Sequence, residues 1–265
     1  MQCCGIVPVG SSFQLCALQE TRTVEPPERL QATFYDPGSA ADVAAGVLSL
    51  GKVVAAVAAP MSEPARGEQA RLCDELLTQA GFAPVTFNDN AADLWERLAE
   101  LNVFEPEGEG PWGDLGGTER DRSVFETHVE AIFSSLQERR LPAKRHPLGI
   151  RRRVEQLEDR RVIDAGGDLW HRRLEEVEAA AAALCAHRFA VGRGRWVGDP
   201  AEGVLVLPGA GELRSFSTEG VLPPVARVPL PRGPARDVDV DAPGDDEERH
   251  GVGARLRRAF GSGDD

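Results

Sequence analysis

The chain has 265 residues, a net charge of −13, an apolar fraction of 42% and five cysteines. This length can bury a full core in one large domain or two small ones. The sequence contains no apolar run of the roughly 20 residues that cross a bilayer, no basic amino-terminal stretch typical of a secretory signal and no C-x-x-C pair. We therefore expect a cytoplasmic protein without a membrane partner, whose cysteines are reduced and pack as small apolar side chains.

The negative charge extends over the whole chain. From Pro208 onward, 11 acids stand against 8 bases, which leaves a net charge of −10 on the preceding residues. An acidic surface repels a phosphate backbone at long range. Any contact with nucleic acid must therefore be local, at a basic island.

Three strands are predicted at the start of the chain. Residues 3–9 and 13–18 are short apolar runs separated by Gly10-Ser11-Ser12, which is a hairpin signal. Residues 31–35 alternate apolar and polar side chains and end at Asp36-Pro37-Gly38, a predicted turn. The three strands would follow one another as an antiparallel meander.

A helix and a buried strand come next. Ser39 is a helix cap, the Ala-rich stretch after it predicts a helix to Leu50, and Gly51 is its stop signal. Residues 53–58 are continuously apolar, as in a central strand covered on both faces. This β-β-β-α-β opening predicts an α/β fold: a ribonuclease-H-like mixed sheet flanked by helices.

The remaining elements are weaker signals. Helical periodicity predicts helices over residues 64–80, 91–101, 130–139, 149–160 and 168–189, and apolar runs predict strands over 124–127 and 203–207. Residues 105–122 are rich in Gly and acids and are predicted to form a mobile insert. Beyond residue 208 the apolar periodicity is lost. We therefore predict a domain over 1–208 and a disordered, acidic and Pro-rich tail over 209–265.

Several segments resemble the domain-of-unknown-function 429 family, which is described as predicted nucleases with a ribonuclease-H-like fold. The segments are Leu174–Pro208 (LEEVEAAAAALCAHRFAVGRGRWVGDPAEGVLVLP), Glu126–Phe133 (ETHVEAIF), Pro142-Ala143-Lys144 with Gly149 and Arg152-Arg153, Ala59-Pro60, and Cys73-Asp74. Their order and spacing extend the resemblance over residues 3–208.

The resemblance implies hydrolysis of phosphodiesters by two metal ions, Mg²⁺ or Mn²⁺, held by carboxylates on strand one, a later strand and the last helix. This chain departs from the pattern, because Val7 and Ala58 stand where the family has aspartates. Glu126 and Glu178 are the remaining candidates for catalysis and for metal binding. Two acids without a partner on strand one make a poor cage for two metals.

Histidines next to these acids suggest two further sites. His128 lies two residues after Glu126, so strand alternation would place both on one face for acid–base work, unless they lie at a half-exposed strand end. His171, Glu175 and Glu178 share helical spacing and could hold a metal, but we favour an exposed helix face on which Arg172 and neighbouring charges offset the two acids.

A basic island covers Arg139, Arg140, Lys144, Arg145 and Arg151 to Arg153. Within it, Lys144, Arg152 and Arg153 are the predicted anion-binding residues, with nucleic acid or another phosphate-bearing ligand as the partner. Neighbouring glutamates could instead neutralise much of the island through i,i+4 pairs.

Two functions follow from these observations. The first is a catalytically degenerate member of the nuclease family that binds an anion, a nucleic acid or a protein partner. The second is an active metal-dependent phosphodiesterase that uses Glu126 and Glu178, with Glu130 or Glu175 in support. A scaffold that acts through the tail is a third idea based on composition, and the oligomeric state is left open.

Overall fold

The computed structural model describes residues 1–21, 29–65, 68–108, 111–115, 121–137 and 140–209. The chain divides into one unit over Met1–Leu222 and another over Pro223–Asp265, and all described residues belong to the first. The predicted tail lies outside the described residues except for Gly209. Parts of the predicted insert over 105–122 do so as well.

The described residues form a mixed α/β structure with ten strands and six α-helices. The strands are β1 Gln2–Val9, β2 Ser12–Thr21, β3 Arg29–Phe34, β4 Val53–Val57, β5 Asn102–Val103, β6 Trp112–Asp114, β7 Ser123–Glu126, β8 Val162–Asp164, β9 Arg195–Asp199 and β10 Gly203–Leu207. The helices are α1 Ala40–Ser49, α2 Leu72–Gln79, α3 Asp89–Arg97, α4 Val129–Gln137, α5 Pro147–Asp159 and α6 Leu174–Ala190.

The strands form one sheet in the order β6-β9-β10-β7-β4-β1-β2-β3-β8, and β5 pairs with β7 beside this path. Strand β1 is antiparallel to β2 and parallel to β4, and β4 is parallel to β7. Strand β3 is antiparallel to β2. The predicted β-β-β-α-β opening is therefore confirmed, and the order is compatible with a ribonuclease-H-like sheet.

Local signals account for the hairpin and the first helix. Gly10 has φ +61° in the turn between β1 and β2, a conformation that glycine adopts at no steric cost. The Ser39 hydroxyl accepts a hydrogen bond from the Asp42 N–H, and the Asp42 carboxylate accepts one from the Ser39 N–H. This capping box starts α1 where the sequence predicted.

Two predicted helices differ from the structure. The helix predicted from residue 64 begins at Leu72, because Arg71 keeps an extended backbone while its side chain reaches across to β7. The helix predicted over 168–189 is divided into a 3-10 turn, Leu169–His171, and α6. The break lies at Arg172, whose extended backbone lets its guanidinium bind Asp164 on β8.

Two apolar clusters cover the two faces of the sheet. Helix α6 packs on one face over β1, β2 and β4, and α1 and α3 cover the other. The approach of α6 to β1 is close, since a Cβ on Gly5 would lie 2.1 Å from the Ala179 carbonyl oxygen. Among the described residues no helix has the length and apolar character to span a membrane.

Candidate functional site

The resemblance pointed to the edge of the sheet where β1, β4 and β7 end. Val7 and Ala58 are buried there, and both belong to the apolar cluster that contains α6. Gln14 lies opposite Val7 on β2 and is also buried. Its amide oxygen accepts a hydrogen bond from Arg173 at 3.1 Å, and its amide nitrogen donates to the carbonyls of Leu15 and Tyr35. The corner next to strand one therefore has a satisfied neutral amide in place of a carboxylate.

Glu126 faces the opposite side of the sheet. It is in register with Val57 on β4, and Val57 belongs to the cluster under α1 and α3. Residues in register on neighbouring strands point to the same face. Since Glu178 lies on α6, which covers the other face, the structure does not bring Glu126 and Glu178 together.

The Glu126 carboxylate is bound by Arg71. Both guanidinium nitrogens Nη1 and Nη2 donate to its two oxygens at 2.7 Å, and the Met61 N–H donates to Oε2 at 2.9 Å. The Arg71 and Glu126 side chains are only 1% and 4% exposed. The same guanidinium donates to Asp74 through Nε at 2.9 Å and Nη2 at 3.2 Å. One buried arginine thus serves two carboxylates.

Burial and hydrogen bonding shift the pKa values of Glu126 and Arg71 in opposite directions. Burial raises the pKa of Glu126, and the hydrogen bonds from Arg71 oppose the rise. Burial disfavours the charge of Arg71, but its bonds to Glu126 and Asp74 outweigh that effect and hold its pKa above the usual range. The arginine therefore keeps its charge inside the protein, next to the carboxylates that it neutralises.

Glu178 is buried near α4 and α5. Its Oε1 accepts a hydrogen bond from Lys144 Nζ at 3.1 Å. Burial raises the pKa of Glu178, while the Lys144 ammonium opposes this. A predicted metal ligand and a predicted anion-binding residue are thus paired with each other, and Glu130 and Arg153 form a second such pair at 2.6 Å.

The acids do not fit a divalent metal. Within the described part of the chain, no group of three or more His, Cys, Asp or Glu side chains could hold an ion. Both oxygens of Glu126 are used by Arg71, and Glu178 shares its Oε1 with Lys144. A metal at either acid would have to displace a cation that the protein itself supplies.

The histidines have other roles. Strand β7 ends at Glu126, so alternation does not extend to His128. His128 instead precedes α4, where Nδ1 accepts from the Ala131 N–H at 3.3 Å and Nε2 lies 3.0 Å from the Ala83 carbonyl oxygen. His171 lies in the 3-10 turn before α6 with its side chain 86% exposed, away from the helical register that would align it with Glu175 and Glu178.

The basic island is divided between exposed and buried residues. Lys144 and Arg152 are exposed, and Arg152 shares Glu155 with Arg151. Arg153 is fully buried: its guanidinium binds Glu130 at 2.6 Å and the carbonyls of Pro142 and Gly149. As the side chains lie, Lys144 and Arg152 can reach an external anion and Arg153 cannot.

Two polar residues near the ends of β1 and β7 were not predicted from the sequence: Arg71, which binds Glu126, and Gln14, which lies opposite Val7. Arg71 lies 55 positions from Glu126 in the chain, and no local pattern links them. A signal was available for Gln14, since it is a polar residue in the middle of the apolar run of β2.

Comparisons with known proteins add little to this description. The chain matches no protein-family model and no curated protein. Among solved structures it is similar to one titled "Thermus thermophilus RuvC structure", with 13% sequence identity, 72% of this chain and 95% of that chain covered, and a TM-score of 0.33. At this score the likeness supports no inference about activity, and membership of the domain-of-unknown-function 429 family stays a prediction.

Proposed function

We propose that this chain is a catalytically degenerate member of the predicted nuclease family it resembles, and that it binds phosphate-bearing ligands, above all nucleic acid, without cleaving them. The observation that carries the proposal is the buried pair of Glu126 and Arg71, with both carboxylate oxygens on one guanidinium at 2.7 Å. An arginine in this position supplies permanently the positive charge for which an exchangeable metal ion would otherwise be needed.

The remaining geometry supports the absence of catalysis. Hydrolysis with two metals needs carboxylates that converge on both ions. Here Val7 and Ala58 offer no ligand, and Glu126 and Glu178 face opposite sides of the sheet. Glu126 and Glu178 each have a cationic partner from the same chain.

The binding half of the proposal rests on charge. Residues 140–161 contain eight Lys or Arg and three Asp or Glu, a net charge of +5 in a chain of net charge −13. Lys144, Arg145, Arg151 and Arg152 are exposed within this segment. Lys144 and Arg145 lie in the turn before α5, where their side chains can reach a phosphate backbone.

The test measures binding and cleavage separately. The full chain is titrated with a fluorescent single-stranded RNA at low salt, with EDTA or with millimolar Mn²⁺. We expect equal affinity under both conditions and no shortened product. The double variant Lys144→Gln with Arg152→Gln should weaken binding, whereas Lys52→Gln with Arg97→Gln removes the same charge from exposed ion pairs elsewhere and should not.

A cleavage product that requires Mn²⁺ and disappears in Glu126→Gln or Glu178→Gln would establish the alternative, an active phosphodiesterase. Calorimetry of the same proteins with Mn²⁺ alone gives an independent answer. Binding of the ion to the parent chain, lost in either variant, would contradict the degenerate site.

A further inference from the structure

Three arginines lie together where α4, α5 and α6 end, and we call Arg160, Arg188 and Arg193 the arginine corner. Arg160 follows α5 and donates to the carbonyl oxygens of Leu136, in the last turn of α4, and Gln156. Arg188 lies in the last turn of α6, and the backbone N–H of Arg193 donates to its carbonyl oxygen at 2.7 Å. Helices α4, α5 and α6 pack on one another, so these residues lie at the ends of neighbouring helices.

Two of the three arginines lack a counter-charge among the described residues, whereas Arg160 has the carboxylate of Asp159 near it. Arg188 and Arg193 make no side-chain hydrogen bond or ion pair with any described residue, and Nε of Arg188 is buried without a hydrogen-bond partner. Most other arginines of the described chain differ in this respect. Those bound to Asp or Glu are Arg71, Arg97, Arg151, Arg152, Arg153, Arg172, Arg173 and Arg195.

The three charges act on one another. Burial and the neighbouring charge of Arg188 lower the pKa of Arg160 more than Asp159 raises it, and burial and Arg193 lower the pKa of Arg188. Each helix end contributes about half a negative charge, but Arg160 already uses the carbonyls at the ends of α4 and α5. Arg188 and Arg193 therefore carry positive charge that no described carboxylate neutralises.

The corner is remote from the acids discussed above. Arg160 precedes Arg161, whose carbonyl oxygen accepts from the Leu30 N–H at the start of β3. Strands β1 and β3 run in the same direction, because each is antiparallel to β2. The arginine corner therefore lies at the end where these strands begin, and Val7 lies at the end where β1 stops.

We infer that the arginine corner is a binding site for a phosphate group. A guanidinium offers a planar fork of N–H donors that matches phosphate oxygens, and two or three such forks at one point suit a single, doubly charged group. The phosphate could belong to a nucleic-acid backbone or to a free oligophosphate. This site goes beyond the proposed function, since it does not depend on Lys144, on Arg152 or on the loss of catalysis.

The test uses tripolyphosphate and a single-stranded oligonucleotide as separate probes of the full chain. Calorimetry with tripolyphosphate should give a measurable affinity that Arg188→Gln with Arg193→Gln weakens by about tenfold or more, because charge-assisted hydrogen bonds are lost. Lys52→Gln with Arg97→Gln, which changes the net charge equally, should leave the affinity within about twofold. The variant Arg188→Lys keeps the charge without the fork and should bind with intermediate affinity.

Thermal unfolding separates a binding role from a structural one. Removal of Arg188 relieves repulsion inside the corner, so Arg188→Gln should melt no lower than the parent without ligand. Tripolyphosphate should raise the melting temperature of the parent and not that of the variant. Arg193→Gln repeats the test at an exposed position, where the substitution should not affect folding.

Each outcome bears on the site. If the oligonucleotide loses affinity in the same variants, the phosphate comes from nucleic acid; if only tripolyphosphate does, it is a free oligophosphate. Equal weakening in the control pair, or no tripolyphosphate binding by the parent at millimolar concentration, would overturn the inference. Failure of the proposed function looks different, because it appears as unchanged RNA affinity in Lys144→Gln with Arg152→Gln.

Discussion

A single guanidinium decides the chemistry at the end of β7. Arg71 holds Glu126 with two parallel hydrogen bonds and reaches Asp74 with the remaining donors. The desolvation of two buried charges is costly, and their attraction offsets it only when the geometry is close and the remaining atoms are hydrogen bonded. The Arg71–Glu126 pair meets that condition, so removal of one partner alone should strongly destabilise the protein.

We expect Arg71→Met to lower the free energy of unfolding by about 3–5 kcal/mol, because it leaves Glu126 buried and unpaired. The double variant Arg71→Met with Glu126→Leu should recover the larger part of this loss, since only Asp74, which is less buried than Glu126, then lacks its partner. Urea unfolding followed by circular dichroism measures both. Arg97→Met, which breaks an exposed pair with Asp93, is the control and should change little. A double variant no more stable than the single one would contradict this account.

His128 makes the stability depend on pH. Burial lowers its pKa below the usual 6.5 in the folded protein. The unfolded chain therefore takes up the proton first, and the contribution of His128 is present above about pH 6.5 and lost as the pH falls through the folded-state pKa. We expect the unfolding free energy of the parent to fall more steeply from pH 7 to 5 than that of His128→Asn.

The asparagine in that variant keeps an acceptor for the Ala131 N–H at the start of α4. Glu126 and Glu178 have raised pKa values and act in the opposite sense, but they are present in both proteins and cancel in the difference. Parallel curves for parent and variant would show that His128 does not titrate with unfolding.

At the scale of elements, the fold depends on how closely α6 approaches β1. The helix carries a run of alanines from Ala179 to Ala183 on the sheet, and Gly5 lies beneath it. A Cβ on Gly5 would lie 2.1 Å from the Ala179 carbonyl oxygen and 2.2 Å from the Ala183 nitrogen. Both are backbone atoms of a helix interior, so neither can move aside alone.

Gly5→Ala should therefore destabilise the protein by about 3 kcal/mol, because the added methyl group overpacks a rigid contact. Gly46→Ala is the matched control: its Cβ would meet only the Leu15 side chain, at 3.5 Å, and it lies inside α1. The control should stabilise by about 1 kcal/mol through helix propensity. A lower melting temperature for Gly5→Ala and a higher one for Gly46→Ala would support the close contact. A Gly5→Ala variant as stable as the parent would refute it.

Elements with local signals were predictable from the sequence. The turn at Gly10, the cap at Ser39 and the apolar strand before Ala58 each depend on residues a few positions apart. The elements that were misjudged depend on distant partners: α2 begins late because Arg71 binds Glu126, and α6 is separated from the 3-10 turn because Arg172 binds Asp164. Strand β6 also needed its partner β9 to be recognised.

The candidate site was less predictable than the fold for the same reason. Burial of Val7 and Ala58 followed from their apolar strands, but the identity of the cation beside Glu126 did not. A sequence shows that a carboxylate lies at the end of a strand, but it does not show which helices cover the face to which that carboxylate points. Glu126 shares the face of Val57 under α1 and α3, whereas α6 with Glu178 covers the other face.

For the whole molecule, the distribution of charge limits how a polyanion can bind. The chain carries −13, so long-range attraction is absent, and in the described part of the chain the positive segment 140–161 and the arginine corner are the places suited to phosphates. Binding through so few side chains displaces few counterions. The dependence of affinity on salt should consequently be shallow compared with that of a protein with an extensive basic surface.

The dependence of RNA affinity on salt concentration measures the number of phosphate contacts. For single-stranded nucleic acid, each neutralised phosphate contributes about 0.7 to the slope of log affinity against log salt. If Lys144 and Arg152 each contact one phosphate of the RNA, Lys144→Gln with Arg152→Gln should reduce the slope by about 1.4. Lys52→Gln with Arg97→Gln should leave it unchanged, although its net charge is the same. A slope reduced equally in both would mean that overall charge, and not phosphate contacts of Lys144 and Arg152, sets the affinity for RNA.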